Sequence, residues 1–423
     1  MNVDMNSDRI TETAYLQRIV PALLEWYPGH RRDLPWRVHP LPYYVWISEV
    51  MLQQTRVETV IPYYRRFLKE LPSVGDLACC PPEKLMKLWE GIGYYSRARN
   101  LQKAAKVVME VYGGCMPDTK EELLKLPGIG SYTASAISSI AYGRCEAAVD
   151  GNVLRVSTRL LEDSGCIDEP KVKKRWEKIW TAVMRQYQES CPEKGSFPGT
   201  FNQAMMEIGA TVCVPGGAPA CSRCPLSAFC LAHLHEGELL YPVRKTKRPR
   251  RVEKRTVLLL TDGGRIALRK RSGKGLLAGM WELPNEEGTL TREEALSYAE
   301  KLGLSPLRIR PLPHARHVFT HIEWEMTGWK VLAETLEDLK TCGMEPAGQA
   351  AAAAETAADR TGLSVSGTWA LASVQQAETQ YAIPAAFSAY LKAAGIRPKA
   401  MLQRERKESA VPEAGYEGSH GSR

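Results

Sequence analysis

"LPGIGSYTASAI", residues 126–137, sets two glycines one residue apart at the head of an apolar helical pattern. Glycine reaches backbone angles that other residues avoid and leaves its amide N–H uncovered, so Gly128-Ile129-Gly130 ahead of a helix suits an anion, and a phosphate above all. An ordinary glycine turn between two helices gives the same local pattern, and the rest of the chain has to decide. From residue 8 to about 235, apolar residues recur at three- and four-residue spacing, as in "WISEVMLQQTRVETVIPYYRRFLKEL" and "EKLMKLWEGIGYYSRARNLQKAAKVVMEVY". That periodicity predicts a mostly helical region.

The chain has 423 residues, enough for two or three domains with real cores. Its net charge of +8 and pI near 8.8 tilt towards a polyanionic partner, although solubility alone accounts for them as well. The opening "MNVDMNSDRITETAY" is polar and acidic where a signal peptide would be basic and then apolar, and no apolar run is long enough to span a bilayer. Eleven cysteines without an export signal point to a reducing compartment. The expected address is the cytoplasm, in association with the nucleoid, with no membrane partner.

The composition changes near residue 250. Eight of the twelve residues from Arg244 to Arg255 are Lys or Arg, which reads as a solvated linker or as a segment lying along phosphates. Beyond it "RTVLLLTDGGRIALRKR" reads as two strands around an Asp-Gly-Gly turn, so a separate α+β domain follows. The expected division is a helical domain over 8–235, a basic linker over 236–255, an α+β domain over 256–395 and a polar tail over 396–423. An alanine-rich insert (347–362) and that tail carry no function that can be read.

Cys213, Cys221, Cys224 and Cys230 fall in "CVPGGAPACSRCPLSAFC" with C-x7-C-x2-C-x5-C spacing. Four thiolates so close together can hold zinc or an iron–sulfur cubane, and softness alone does not separate the two. Twenty residues past Gly130, "AAVDGNVLRVSTRL" puts Asp150 just before a helix, where an aspartate most often serves as a cap.

A glycine hairpin "LPGIGSYT", an aspartate in "VDGNV" and a cysteine quartet, in that order, resemble the endonuclease III superfamily of DNA glycosylases over about residues 30–232. "LPWR" (34–37), "WISEVMLQQTRVETVIPYY" (46–64), "WEGIGYYSRARNL" (89–101) and "FNQAMMEIGATVC" (201–213) resemble more closely its MutY branch, the adenine DNA glycosylases. The resemblance implies two helical modules around an active site, a 4Fe-4S cluster on the four cysteines and a C-terminal domain like the Nudix hydrolases. The implied partner is double-stranded DNA carrying adenine opposite 8-oxoguanine or guanine, and the chain is expected to act as a monomer. Bifunctional members carry a lysine nucleophile where this chain has Tyr132. A phenol forms no imine, so the chemistry is expected to stop at base removal.

By the same resemblance Glu49 protonates adenine N7, Asp150 stays ionised beside the sugar C1′, and Tyr132 and Asn152 position them. The apolar neighbours Trp46, Ile47, Val50 and Leu52 would raise the Glu49 pKa by desolvation. Arg37, Gly128 and Gly130 are expected to contact DNA; Gln54 and Tyr94 match residues that enter the stack beside the opposite base, with Thr55 and Ile92 near them. Phe319-Thr320-His321 resembles a Phe-Ser-His loop that probes 8-oxoguanine, with threonine in place of serine. Arg223 is a candidate phosphate contact.

Two further departures are visible. The first two cysteines are seven residues apart where the family usually has six, a difference that a bulge in "PGG" can absorb. "GLLAGMWELP" followed by "REEALSYAEKLGL" resembles the Nudix region without its clustered metal carboxylates, so a recognition module is expected rather than a nucleotide hydrolase. An endonuclease III-like lyase acting on oxidised pyrimidines and a silent mismatch-binding protein stay open as alternatives.

Overall fold

The computed structural model describes residues 12–192, 197–246, 249–339 and 368–397. The alanine-rich insert and the tail beyond 397 lie outside them. The chain forms two compact units, Met1–Cys80 with Arg97–Lys247 and Pro81–Ser96 with Arg248–Arg423.

The first unit is helical. Five of its helices build the site: α1 (Pro42–Leu52), α2 (Ser131–Tyr142), α3 (Gly151–Leu160), α4 (Pro170–Ser190) and α5 (Phe197–Thr211). Helix α1 starts on Pro42, whose fixed φ and missing N–H suit a first turn, and it is buried nearly all round because its residues are apolar nearly all round. Trp176 and Trp180, one turn apart on α4, stack at 6.0 Å and fill the core beside Phe201 of α5. Helix α2 packs on α1 and α5, and α5 packs on α3. At Gly209 of α5 an added Cβ would sit 2.7 Å from the Cβ of Asn152, so only glycine lets α5 approach α3 this closely.

The second unit holds a seven-stranded sheet: β1 (Arg251–Thr261), β2 (Arg265–Lys270), β3 (Trp281–Glu282), β4 (Asn285–Glu287), β5 (Pro306–Val318), β6 (Ile322–Ala333) and β7 (Trp369–Ser373). The path runs β3-β2-β1-β6-β5, with β4 on β1 and β7 on β2. Strands β1 and β6 are parallel from Arg251↔Ile322 to Thr261↔Leu332, and β5 and β6 form an antiparallel hairpin. Helix α6 (Arg292–Lys301), opened by a Thr291/Glu294 capping box, covers one face through Tyr298 and Ala299. Helix α7 (Val374–Thr379) and α8 (Ser388–Ala393) cover the other through Ala377, Tyr390 and Leu391.

The Asp262-Gly263-Gly264 turn stands where the sequence placed it, its backbone held by Asp262 Oδ1. Strand β1 begins at Arg251, inside the stretch expected as linker, because the register with β6 starts there. The helical segment Pro82–Trp89 packs with the second unit, although its periodicity placed it with the helical domain. Lys87 Nζ donates to the Tyr381 carbonyl at 2.7 Å, and the Ile383 N–H donates to Glu90 at 2.9 Å.

Candidate active site

Three helix ends converge on one cavity of about 750 Å³ in the first unit. Glu49, Tyr132, Asp150, Asn152, Gly128 and Gly130 all line it, together with Arg37, Gln54 and Thr55. Glu49 projects from α1 and is only 6% exposed. Burial is the main force on its carboxyl and the nearby Asp150 adds to it; a hydrogen bond from Tyr132 and the charge of Arg37 oppose them, leaving the pKa raised to about 7. The Tyr132 hydroxyl donates to Glu49 Oε2 at 2.7 Å, and burial with two nearby carboxylates keeps that phenol protonated.

Asp150 proves to be the cap of α3 as well as a wall of the cavity. Its Oδ1 accepts the N–H groups of Asn152 and Val153 at 2.9 and 2.8 Å, and its Oδ2 accepts the Asn152 side-chain amide at 3.0 Å. Burial pushes the carboxyl up from its ordinary value, and these three donors and Arg155 pull against it. Capping and a chemical role are therefore compatible in one residue: the cap fixes the orientation of both oxygens.

Gly128 and Gly130 differ in kind. Gly128 has φ +79, and a Cβ there would lie 2.6 Å from that of Asn100, so glycine is required twice over. Gly130, the N-cap of α2, has φ −96 and open space where a Cβ would go. Its bareness leaves room beside the first amides of α2, where the helix dipole favours negative charge.

Four residues that sequence reasoning passed over complete the site. Glu207, fully buried on α5, accepts from Arg32 Nε at 2.7 Å and Arg37 Nη2 at 2.7 Å. Burial alone would raise this carboxyl, yet the guanidiniums hold it below its ordinary range. An acidic residue inside the apolar helix "FNQAMMEIGA" was the available signal. Arg97 donates to the carbonyls of Val50, Met51 and Gln53 at 2.6, 3.0 and 2.8 Å, closing the C-terminus of α1 and setting the turn that carries Gln54. Arg155 donates to the Asn152 side chain at 2.9 Å and to the Cys213 carbonyl at 2.8 Å, so a continuous chain of bonds runs from a cysteine of the quartet to Asp150.

Ile92, Tyr94, Phe319, Thr320 and His321 belong to the second unit. Ile92 is buried, and Tyr94 is 44% exposed. The Tyr94 hydroxyl and Thr320 Oγ1 hydrogen-bond at 2.8 Å. Phe319 turns inward, edge-on to Trp324 at 4.9 Å, so within the expected loop only Thr320 and His321 are exposed. Gln54 and Tyr94 both hold left-handed backbones, φ 56 and 50, which non-glycine residues seldom adopt.

The four cysteines are free thiols, half-buried around the loop after α5. Burial pushes Cys221 and Cys230 up to about 11 and Cys224 up to about 12, so they become thiolates only when a cation compensates. Arg159 donates to Cys213 Sγ at 3.1 Å. Among the described residues no three of these sulfurs lie within 4.8 Å of one another, whereas the ligands of one tetrahedral ion with 2.3 Å bonds are roughly 3.8 Å apart. Four soft sulfur donors around one loop fit a thiolate-held metal centre, and Cys221 also lies close to His233 and Glu238. Arg223 sits on the short 3-10 turn beside Cys224.

A family model described as HhH-GPD superfamily base excision DNA repair protein matches residues 47–182, and one described as NUDIX domain matches 256–393. The adenine DNA glycosylase of Rattus norvegicus is 36% identical over 359 residues, covering 71% of this chain and 68% of that protein. That of Buchnera aphidicola subsp. Baizongia pistaciae is 33% identical over 304 residues, covering 71% and 82%. Among solved structures a thermostable thymine-DNA glycosylase is 28% identical with a TM-score of 0.46, covering 52% of this chain and 97% of that one.

Proposed function

Because the chain belongs to the adenine DNA glycosylases, base excision repair enzymes that hydrolyse N-glycosyl bonds, we propose that it removes adenine paired with 8-oxoguanine or guanine, using Glu49 as acid and Asp150 as the charge-stabilising carboxylate. A base inside a stacked duplex is out of reach of both groups, so the nucleotide swings out into the cavity. Glu49, with its pKa near 7, is protonated in a large share of molecules at neutral pH and delivers that proton to adenine N7. The C1′–N9 bond then breaks, its electron pair leaves with the base, and the sugar becomes an oxocarbenium ion facing Asp150. Glu49, now ionised, takes a proton from water as the water oxygen bonds to C1′. Adenine and an abasic site are the products.

Tyr132 keeps Glu49 aimed by donating to one oxygen, and it offers no amine to the aldehyde form of the abasic sugar. Asn152 holds Asp150 Oδ2. Cys213, Cys221, Cys224 and Cys230 would hold a 4Fe-4S cluster, which when bound supplies metal–thiolate bonds that close the loop after α5. Gly128, Gly130 and Arg223 face phosphates, Arg37 walls the base pocket, and Gln54 with Thr55 enters the stack beside the opposite base; Tyr94 is the exposed residue of its own segment, whereas Ile92 is buried and takes no direct part. Thr320, bonded to Tyr94, and His321 meet the opposite base.

The observation that most supports this reading is the Tyr132–Glu49 hydrogen bond in a cavity shared with Asp150. The test is single-turnover release of adenine from duplexes that differ only in the base opposite adenine. Glu49-dependent release opposite 8-oxoguanine and guanine but not thymine is expected; equal release from all three, or release unaffected by Glu49→Gln, refutes it.

A further inference from the structure

On the face of the sheet covered by α7 and α8, Val374 at the start of α7 and Ala394 after α8 stand at the edge of a space that reaches Gly263 and Gly264 of the β1–β2 turn. This space is a second cavity of about 260 Å³. The register places two rows across it. Leu259, Lys330 and Arg310 lie side by side on β1, β6 and β5, and Thr261, Leu332 and Arg308 form the next row. Under the helices this face is apolar, with Val257, Trp324 and Met326, and at its far end Arg255 is paired with Glu253. Over the cavity it turns cationic, and no acidic side chain lines the cavity.

Like charges on directly paired residues such as Arg310 and Lys330 repel. Arg265, at the rim, is neutralised by Asp262 and Glu337. Among the described residues Arg308, Arg310 and Lys330 have no such carboxylate. Three cations held on a rigid sheet with nothing opposite them make a site for an anion of matching multiplicity. Arg308 and Arg310, two residues apart on a strand, are about 6.7 Å apart along it, a spacing suited to successive anionic groups on one linear polymer.

We infer that this cavity seats phosphates of the DNA backbone in the duplex flanking the lesion. The inference rests on the reading of DNA as partner and of the Thr320–His321 tip as the lesion-facing loop. That tip closes the β5–β6 hairpin at its other end, with Thr320 twelve residues from Arg308, or roughly 40 Å along the strand. At 3.4 Å per base pair this is about twelve pairs, so the two sites touch one duplex a little more than one turn apart.

The test measures binding of the full chain to duplexes with 8-oxoguanine opposite a non-cleavable adenine analogue, with flanks of five or of twenty pairs. The wild type should bind the long-flank duplex more tightly. Replacing Arg308, Arg310 and Lys330 by alanine should remove that gain and make the log K against log salt slope shallower by about 2.7 on long flanks only. A charge-preserving Arg308→Lys, Arg310→Lys, Lys330→Arg variant should keep the gain, which separates charge from sheet integrity. Equal loss on both duplexes, or none on either, overturns the inference. Tripolyphosphate that binds the wild type but not the triple-alanine variant, with no effect of flank length, overturns it in favour of a free polyphosphate. Glu49-dependent adenine release from a short duplex of the same sequence carrying ordinary adenine reports on the catalytic reading separately.

Discussion

A phenol donating to a buried carboxylic acid makes the acid stronger than burial alone would leave it. The Tyr132 bond is the largest force opposing desolvation at Glu49, so its removal has a fixed sign. Wild-type release should fall as pH rises through about 7, and Tyr132→Phe should move that descending limb to higher pH; a limb that stays put would show that the bond does not tune the acid. The same shift is written in stability. A carboxyl raised on folding is stabilising when protonated, and that contribution is lost as pH rises through the folded value, here about 7. Glu49→Gln should therefore be more stable than wild type at pH 8, by about 3 kcal/mol, with most of the advantage gone at pH 5. Its adenine release should drop by about 10²- to 10⁴-fold at both. Glu49 and Asp150 were legible because each sits in a long local motif. Glu207 was not, because the arginines that make sense of it stand 170 and 175 residues away.

At the scale of the element, the glycine hairpin separates two uses of one residue type. Gly128→Ala meets both a left-handed backbone and the Asn100 side chain, and should lower stability by about 2 kcal/mol in denaturant unfolding. Gly130→Ala meets neither and should melt like wild type, while DNA affinity falls because the methyl group stands where a phosphate approaches the α2 amides. Equal melting of the two variants would contradict the geometry. Helix periodicity predicted a mostly helical region over 8–235, the glycine hairpin and Asp150 marked the starts of α2 and α3, and the Asp-Gly-Gly turn located the first hairpin. The start of β1 was hidden under a run of basic residues, since a strand whose partner lies about 70 residues away has no local marker. The inward turn of Phe319 was hidden for a similar reason: its partner Trp324 is set by hairpin register, not by the composition of the loop.

At the scale of the whole molecule, the composition break near residue 250 showed that there are two units but not which residues belong to each. Residues 81–96 read as one more amphipathic helical stretch, and nothing local tells such a stretch that its buried face fits a sheet more than 150 residues downstream. Lys87, held by the Tyr381 carbonyl and by Glu90, is the test. Lys87→Ala should lower the melting of the second unit by about 1–3 kcal/mol, read by hydrogen exchange across β2 and α7, and leave exchange in α1 unchanged. Loss of protection in α1 alone would place the segment with the first unit instead.

The discontinuity of that second unit bears on heredity as well as on stability. A genetic crossover near codon 250 looks harmless in the sequence, because it falls where composition changes and no motif is broken. It would nevertheless pair a sheet from one parent with a Lys87–Glu90–Tyr94 segment from the other, and the hydrogen bond between Tyr94 and Thr320 would be negotiated between strangers. Segments 81–96 and 249–397 are thus bound to be inherited together, and a chimaera that exchanges both should fold where one that exchanges only the second does not.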